Sequence, residues 1–201
     1  WGLEGVMLAA GTNVEWLRDD LGIIDTAEQS HEIASQCEST DGVAYVPALL
    51  GLGTPTWDYG ARGALFGLTR GSGRPQIVRA VLDGVAQRAA DLVDAAERDG
   101  GTAIPTLRID GGMAANPTFV QLLADATQRP VEVSPELEAT TLGAAYAAGS
   151  ALGAWSNDQQ IADTWQPVDV VEPAGPADRE RWAETLRRSE RWFPELSDIS
   201  F

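Results

Sequence analysis

Residues 107–117 constrain the fold of this chain more than any other segment, because they combine a strand pattern, a tight turn and a helix start. The apolar run leads into Gly111-Gly112 and then into Asn116-Pro117. Glycine lets the main chain approach a ligand without a Cβ, and asparagine before proline is typical of a helix N-cap and first helical position. The free N–H groups and positive dipole end of that helix would suit a phosphate. An ordinary strand-to-helix connection could carry the same glycines, so the motif alone leaves both interpretations open.

Length and composition predict one globular unit over residues 1–201. Hydrophobic residues make up 44% of the chain, and no apolar run approaches the roughly 20 residues of a membrane helix, so no membrane is expected as a partner. Cys37 is the single cysteine, which excludes an intrachain disulfide and a cysteine-based zinc site and favours a reducing cytoplasm. Residues 1–5 contain neither a basic region nor an initiating Met, so we expect part of a longer protein.

The chain is strongly acidic. Asp and Glu number 30 against 14 Lys and Arg, which gives a formal net charge of −16, and all 14 of these basic residues are arginine. A field of this sign repels phosphate backbones, so nucleic acid is not expected as a partner. The field also opposes a bound nucleotide, and such a site would depend on backbone amides and on a metal ion carried with the ligand. We favour adaptation to concentrated salt over codon bias as the origin of the acidity.

A second strand–glycine–helix unit lies near the start of the chain. Residues 3–9 are predicted as a buried strand, Gly11 as the turn, and 13–21 as a helix with apolar residues at helical spacing. Strands and helices continue to alternate, which predicts an α/β layered domain. The further predicted elements are strands at 43–47, 131–133 and 166–171, and helices at 26–37, 75–100, 117–127, 141–152 and 178–192.

Several details of this pattern are specific enough to check. Capping boxes are predicted at Thr26 with Gln29 and at Ser156 with Gln159. Residues 50–73 are rich in Gly, Pro and Trp and are predicted to form a long ordered loop. Because the helix at 141–152 is so rich in Ala and Gly, another element is expected to pack closely against its backbone. One apolar stripe of the helix at 75–100 is predicted to face the core: Ile77, Val81, Val85, Leu92 and Ala96.

Few residues of the chain could carry catalysis. His31 is the one histidine and lies in a polar helix, so a surface position is predicted. No group of His, Cys, Asp and Glu has the spacing of metal ligands, and the chain has no P-loop lysine. Asp58, in the long loop, is the carboxylate with the strongest claim to a special role, and Trp57 beside it is predicted to pack that loop onto the body.

Several segments together carry a family pattern. They lie at 3–5 with 10–11 and 16–19, at 46–48, 51–58 and 61–83, at 110–112 with Asn116, and at 141–149. With these segments, almost the whole chain resembles the C-terminal domain of the FGGY family of carbohydrate kinases. Residues 51–55 look more like the glycerol kinases of that family than its xylulose or ribulose kinases. The resemblance implies a ribonuclease H-like, actin-like ATPase domain of the α/β class, with a mixed sheet and flanking helices, that lacks the first strands of the complete domain.

The resemblance implies ATP-dependent phosphorylation of the terminal hydroxyl of glycerol, with ATP and Mg²⁺ held between two actin-like domains. It places Gly112 at the nucleotide phosphates, and Gly11 and Asn116 in the adenosine pocket. Glu15 stands where the family usually has glutamine. A carboxylate there would add negative charge beside a polyanion and remove an amide donor, so the adenine contacts at this position would change.

The resemblance also implies which groups lie outside this chain. The aspartate that accepts the glycerol proton, the glycerol-binding residues, the carboxylate that positions magnesium and the phosphate loops of the family all precede the matched region. We therefore assign no catalytic residue and no metal ligand to this chain, and we expect it to be inactive by itself. The implied partners are ATP or ADP, glycerol, the N-terminal domain of the same protein and further copies in a homo-oligomer. Two alternatives stay open: a kinase for another polyol or a pentulose, and a noncatalytic actin-like binding module.

Overall fold

The computed structural model describes residues 2–198. In chain order its strands are β1 (Ala44–Val46), β2 (Ala64–Phe66), β3 (Leu107–Ile109), β4 (Val131–Val133) and β5 (Asp169–Val171). Its α-helices are α1 (Thr12–Glu15), α2 (Gln29–Ala34), α3 (Arg74–Gly100), α4 (Pro117–Thr127), α5 (Ala139–Ala151), α6 (Asp158–Ala162), α7 (Arg179–Ser189) and α8 (Pro194–Ser197). A π-helical turn at Trp16–Asp20 continues α1, and a 3₁₀ turn at Gly112–Ala115 precedes α4. The predicted α/β class is confirmed, although β1 and β2, and likewise α5 and α6, follow one another directly.

The strands form two small sheets. In the three-stranded sheet β4 is central: it runs parallel to β3, with Leu107 opposite Val131, and antiparallel to β5, with Val131 opposite Val171. The predicted mixed sheet is therefore confirmed. The other sheet pairs β1 with β2 in antiparallel register, with Tyr45 opposite Leu65. Among residues 2–198, no helix is both long and apolar enough to cross a bilayer.

Helix α3 is the centre of the core. Pro75 in its first turn and Gly101 beyond its end, at φ +62°, mark its two limits as expected from the sequence. The helix packs against α4, β1 and α2. Val81 and Val85 of the predicted stripe are fully buried, whereas Ile77, Leu92 and Ala96 are half-buried. Burial extends to other faces of α3, which is why one stripe does not describe it.

Gly84 lets α3 lie directly against β1. A Cβ at this position would overlap the carbonyl oxygen of Tyr45, so the two elements could not approach as they do with any larger residue. The contact places Tyr45 in the core, where it stacks on Trp16 with ring centroids 5.8 Å apart. This packing fixes the helical segment that contains Trp16 relative to α3.

Two predictions about strands are wrong. Residues 3–9 are not a strand, and Leu3 is 58% exposed. The N–H of Val6 donates to Oγ1 of Thr54 at 3.0 Å, and the N–H of Thr54 donates to the carbonyl oxygen of Val6 at 3.0 Å. The partner segment around Thr54 is a loop and does not provide the repeating backbone hydrogen bonds of a neighbouring strand, so the apolar run stays irregular. The long loop predicted at 50–73 contains β2, because its middle residues pair with β1.

Both predicted capping boxes are shifted along the chain. The side chain of Gln29 accepts from the N–H of Asp25 at 2.9 Å rather than from Thr26, and α2 ends at Ala34. Asn157 takes the role predicted for Ser156, since its side chain accepts from the N–H of Gln160 at 3.1 Å. In the first case the N–H that donates is one position earlier than predicted, and in the second case the capping side chain is one position later than predicted.

The Ala- and Gly-rich helix α5 lies at the surface of the described part of the chain. Close packing is present at Gly149, where the ring of Trp155 lies against the backbone. The prediction of close packing against the backbone is confirmed at Gly149, while none of the α5 residues is buried among residues 2–198.

Candidate functional site

The two glycine turns predicted from the sequence line one cleft of about 800 Å³. All four residues singled out by the sequence lie on its wall: Gly11, Glu15, Gly112 and Asn116. The two turns are close neighbours, since a Cβ at Gly11 would lie 3.9 Å from Cγ of Met113. The fold therefore brings together segments that are about a hundred residues apart in sequence.

The wall formed by residues 109–116 is built as a turn, a short 3₁₀ segment and a helix start. Gly111 has φ +79°, which favours glycine, and neither Gly111 nor Gly112 has any atom within 4 Å of an added Cβ. Asn116 caps α4, since its Oδ1 accepts from the N–H of Phe119 at 3.0 Å. The predicted N-cap is confirmed, but the 3₁₀ segment separates the glycines from α4, which the sequence did not indicate.

The opposite wall is held by a residue that the sequence reasoning missed. Asn13 is fully buried, and its Nδ2 donates to the carbonyl oxygens of Ala9 and Ala10, each at 2.9 Å. Its Oδ1 accepts from the hydroxyl of Tyr45 at 2.8 Å. These bonds fix the chain just before Gly11 against β1. An asparagine beside the apolar Val14 in the first turn of this helix was the available sign of this role.

Helix α2 forms the side of the cleft next to α4. His31 was predicted to lie at the surface, but it is half-buried and lines the cleft, with Nδ1 2.8 Å from Oγ1 of Thr118. Ser30 beside it is fully buried, and its hydroxyl accepts from Nδ2 of Asn116 at 2.8 Å. The surface prediction for His31 fails because α4 packs over one side of the polar helix α2.

The charge around the cleft is mostly negative. Its carboxylates are Glu15, Glu28, Glu32 and Asp110, and its guanidinium groups are Arg18 and Arg108. Arg18 is held by both carboxylate oxygens of Asp19, which raises the pKa of Arg18, while Arg108 bonds Glu132 and lies over the ring of Trp165. Both cations are thus already paired, so a polyanion here would need backbone amides and an accompanying cation.

Asp58 has a structural role instead of a chemical one. The side chain is 5% exposed and accepts from the N–H groups of Gly60, Ala61 and Arg191 and from the hydroxyl of Ser197. Burial disfavours its ionised form, but these hydrogen bonds outweigh burial and lower the pKa of Asp58. The prediction that Trp57 packs the loop onto the body is wrong, since Trp57 is 47% exposed.

The cleft is suited to binding a molecule with an apolar part and an anionic part. Apolar side chains line it beside the open backbone turns, among them Met7, Val14, Val85, Ala89, Phe119 and Leu123. Within residues 2–198, no group of three or more His, Cys, Asp or Glu side chains could hold a metal ion. The arrangement of apolar side chains and open backbone turns supports recognition of such a molecule.

Comparison with known proteins gives a consistent result. The FGGY family of carbohydrate kinases, C-terminal domain, matches residues 1–152. Glycerol kinase of Rhodopirellula baltica is 45% identical over 194 residues, or 94% of this chain and 36% of the relative. Glycerol kinase of Halorhodospira halophila is 45% identical over 197 residues, or 96% of this chain and 39% of the relative.

Solved structures give the same assignment. Plasmodium falciparum glycerol kinase with ADP has a TM-score of 0.78 at 32% identity, covering 95% of this chain and 37% of that chain. Xylulose kinase from Lactobacillus acidophilus has a TM-score of 0.73 at 26% identity, covering 96% and 38%.

The mixed sheet, the flanking helices and these neighbours define an actin-like ATPase fold. The chain belongs to the FGGY family of carbohydrate kinases and carries the C-terminal domain of that family. It spans between 36 and 40% of the length of the curated relatives named glycerol kinase, so it corresponds to part of such a protein.

Proposed function

We propose that this chain is the nucleotide-binding part of a glycerol kinase, an enzyme that transfers the γ-phosphoryl group of ATP to glycerol. The observation that carries the proposal is the position of Gly11, Glu15, Gly112 and Asn116 around one cleft. Support for the substrate comes from the relatives named glycerol kinase, at 40–45% identity over nearly all of the chain. ADP is the nucleotide named with the Plasmodium falciparum structure.

In this proposal the phosphates and the adenosine of the nucleotide contact different residues of the cleft. The open backbone at Gly112 faces the phosphates, because nothing stands within 4 Å of the missing Cβ. Gly11 and the side-chain amide of Asn116 contact the adenosine, whose base lies against the apolar side chains of the cleft. Glu15 is exposed at the rim, where its carboxylate can accept from ribose hydroxyls but repels phosphate.

We assign Mg²⁺ to the nucleotide and not to this chain. The carboxylates at the rim outnumber the two paired arginines, so an accompanying cation would reduce the repulsion of the phosphates. Magnesium bound with the nucleotide would supply neutralisation of the phosphate charge. The residues of this chain orient the nucleotide, and we infer that the N-terminal domain of the same protein supplies glycerol, its base and the metal ligands. A homo-oligomer and a cytoplasmic location remain predictions.

Binding of MgADP to the chain tests the nucleotide site. We expect the amide resonances of Gly11, Gly112 and Asn116 to shift on titration, and Asn116→Ala to weaken binding about tenfold by removing a polar ligand contact. Loss of the cap should also lower stability by about 1 kcal/mol. Asn157→Ala is the matched control, since it removes an equivalent cap from α6 without touching the cleft. Equal affinities of both variants and the parent would contradict the site.

The substrate is tested with the full-length protein that contains this chain. We expect glycerol to be phosphorylated in the presence of MgATP, whereas the 201-residue chain alone should give no product above a blank. Preference for a pentulose or another polyol would replace glycerol kinase by the second alternative. Nucleotide binding with no transfer to any of these substrates would favour the noncatalytic actin-like module.

A further inference from the structure

A buried serine connects two elements of the cleft. Ser30 in α2 is fully buried, and its Oγ donates to the carbonyl oxygen of Ala27 at 2.6 Å. The same oxygen accepts from Nδ2 of Asn116 at 2.8 Å, although the two residues are 86 positions apart. A hydrogen bond over this separation is a tertiary contact, so it does not serve the local capping of either helix.

The bonds to Phe119 and Ser30 together set the orientation of the Asn116 amide. Oδ1 of Asn116 accepts from the N–H of Phe119 at 3.0 Å, and Nδ2 donates to Ser30. A side-chain amide has two N–H donors and an oxygen with two lone pairs. The two bonds use one N–H donor and one lone pair. One N–H donor and one lone pair remain on this amide, which is half-buried on the wall of the cleft. An inverted amide would lose the bond from Phe119, and it would keep a bond to Ser30 only if that hydroxyl gave up the carbonyl of Ala27.

We propose that Ser30 is a positioning residue for nucleotide binding, which acts by holding the Asn116 side chain in one orientation. The inference rests on the proposed function, because it assumes that Asn116 contacts the nucleotide. The neighbouring contact of His31 with Thr118 ties the same two helices together, so the first turn of α4 is held by consecutive residues of α2. Ser30 itself contributes no atom to the nucleotide.

A double-mutant cycle in the 201-residue chain tests this role, with MgADP affinity as the readout. Ser30→Ala should weaken MgADP binding about threefold to tenfold, the loss expected for one hydrogen bond that orders a ligand contact. In the Asn116→Ala background the same substitution should change affinity less than twofold, because the amide it positions is gone. Ser35→Ala is the matched control: Ser35 directly follows the same helix, and its hydroxyl donates to a local carbonyl, that of Glu32 at 2.9 Å.

The cycle separates positioning from general damage. Equal losses from Ser30→Ala in both backgrounds, or no loss in either, would overturn the role of Ser30 while leaving nucleotide binding intact. Failure of the parent chain to bind MgADP would overturn the proposed function and this inference with it. A second measurement uses the parent chain alone. The NMR resonances of the Nδ2 protons of Asn116 should shift on addition of MgADP, while the proton donated to Ser30 stays protected from exchange with solvent. Absence of that shift or of that protection would also overturn the role.

Discussion

Replacing Arg88 with alanine is expected to lower the free energy of unfolding by about 3–5 kcal/mol, because two carbonyl oxygens lose their donor and the removed side chain leaves a cavity. The Arg88 side chain is 2% exposed. Its guanidinium donates to the carbonyl oxygens of Gly53 at 3.1 Å and Thr54 at 2.5 Å, and to the carboxylate of Asp91 at 3.2 Å. Alanine would leave the two carbonyls without this donor and would open a cavity beneath the loop at 51–58.

Arg98→Ala is the control for this substitution. Arg98 lies on the same helix, but its side chain is 63% exposed and pairs with the exposed Asp99, so its removal should cost less than about 0.5 kcal/mol. Urea unfolding followed by circular dichroism measures both values. A cost for Arg88→Ala below about 1 kcal/mol would mean that the loop at 51–58 is held by other contacts.

Local patterns predicted those parts of the fold whose stabilising groups are close in sequence. Helix α4 begins at Pro117 as predicted, since the cap and the proline are adjacent to the residues they affect. The end of α3 before Gly101 follows from the same kind of local rule. Strand β2 was missed because three half-buried residues, Ala64–Phe66, become a strand only through pairing with β1.

The candidate site shows the same limit. The glycine turns and Asn116 could be found from sequence, because each lies directly before a helix whose start has its own local pattern. Ser30 and His31 could not, since their partners in α4 lie 86 and 87 residues away. The error for His31 is instructive: a polar helix predicts exposure only while no other element packs on it, and the N-terminal turn of α4 does so here.

The second large effect concerns Asp83, whose pKa is raised by burial to about 6, against attraction from Arg79 and a hydrogen bond from Gln87. The ordinary value is 3.8, so the folded state binds this proton more tightly than the unfolded chain. The contribution of the residue is therefore most favourable below pH 4. It becomes unfavourable as pH rises from about 4 to 6, and it changes no further at higher pH.

The difference in unfolding free energy between Asp83→Asn and the parent is expected to change in favour of the variant by about 2–3 kcal/mol between pH 4 and pH 7. One pKa unit corresponds to about 1.4 kcal/mol, and the pKa of Asp83 is shifted by about two units. Asparagine preserves the shape of the side chain but cannot ionise in the buried position. Unfolding of parent and variant at pH 4, 5, 6 and 7 isolates this residue, because titrating groups that do not interact with Asp83 cancel in the difference. Asp99→Asn is the control, because Asp99 lies on the same helix with an exposed side chain. Its free energy of unfolding should differ from that of the parent by less than about 0.5 kcal/mol at every pH. A pH-independent difference for Asp83→Asn would show that the Asp83 carboxylate is ionised in the folded protein without cost.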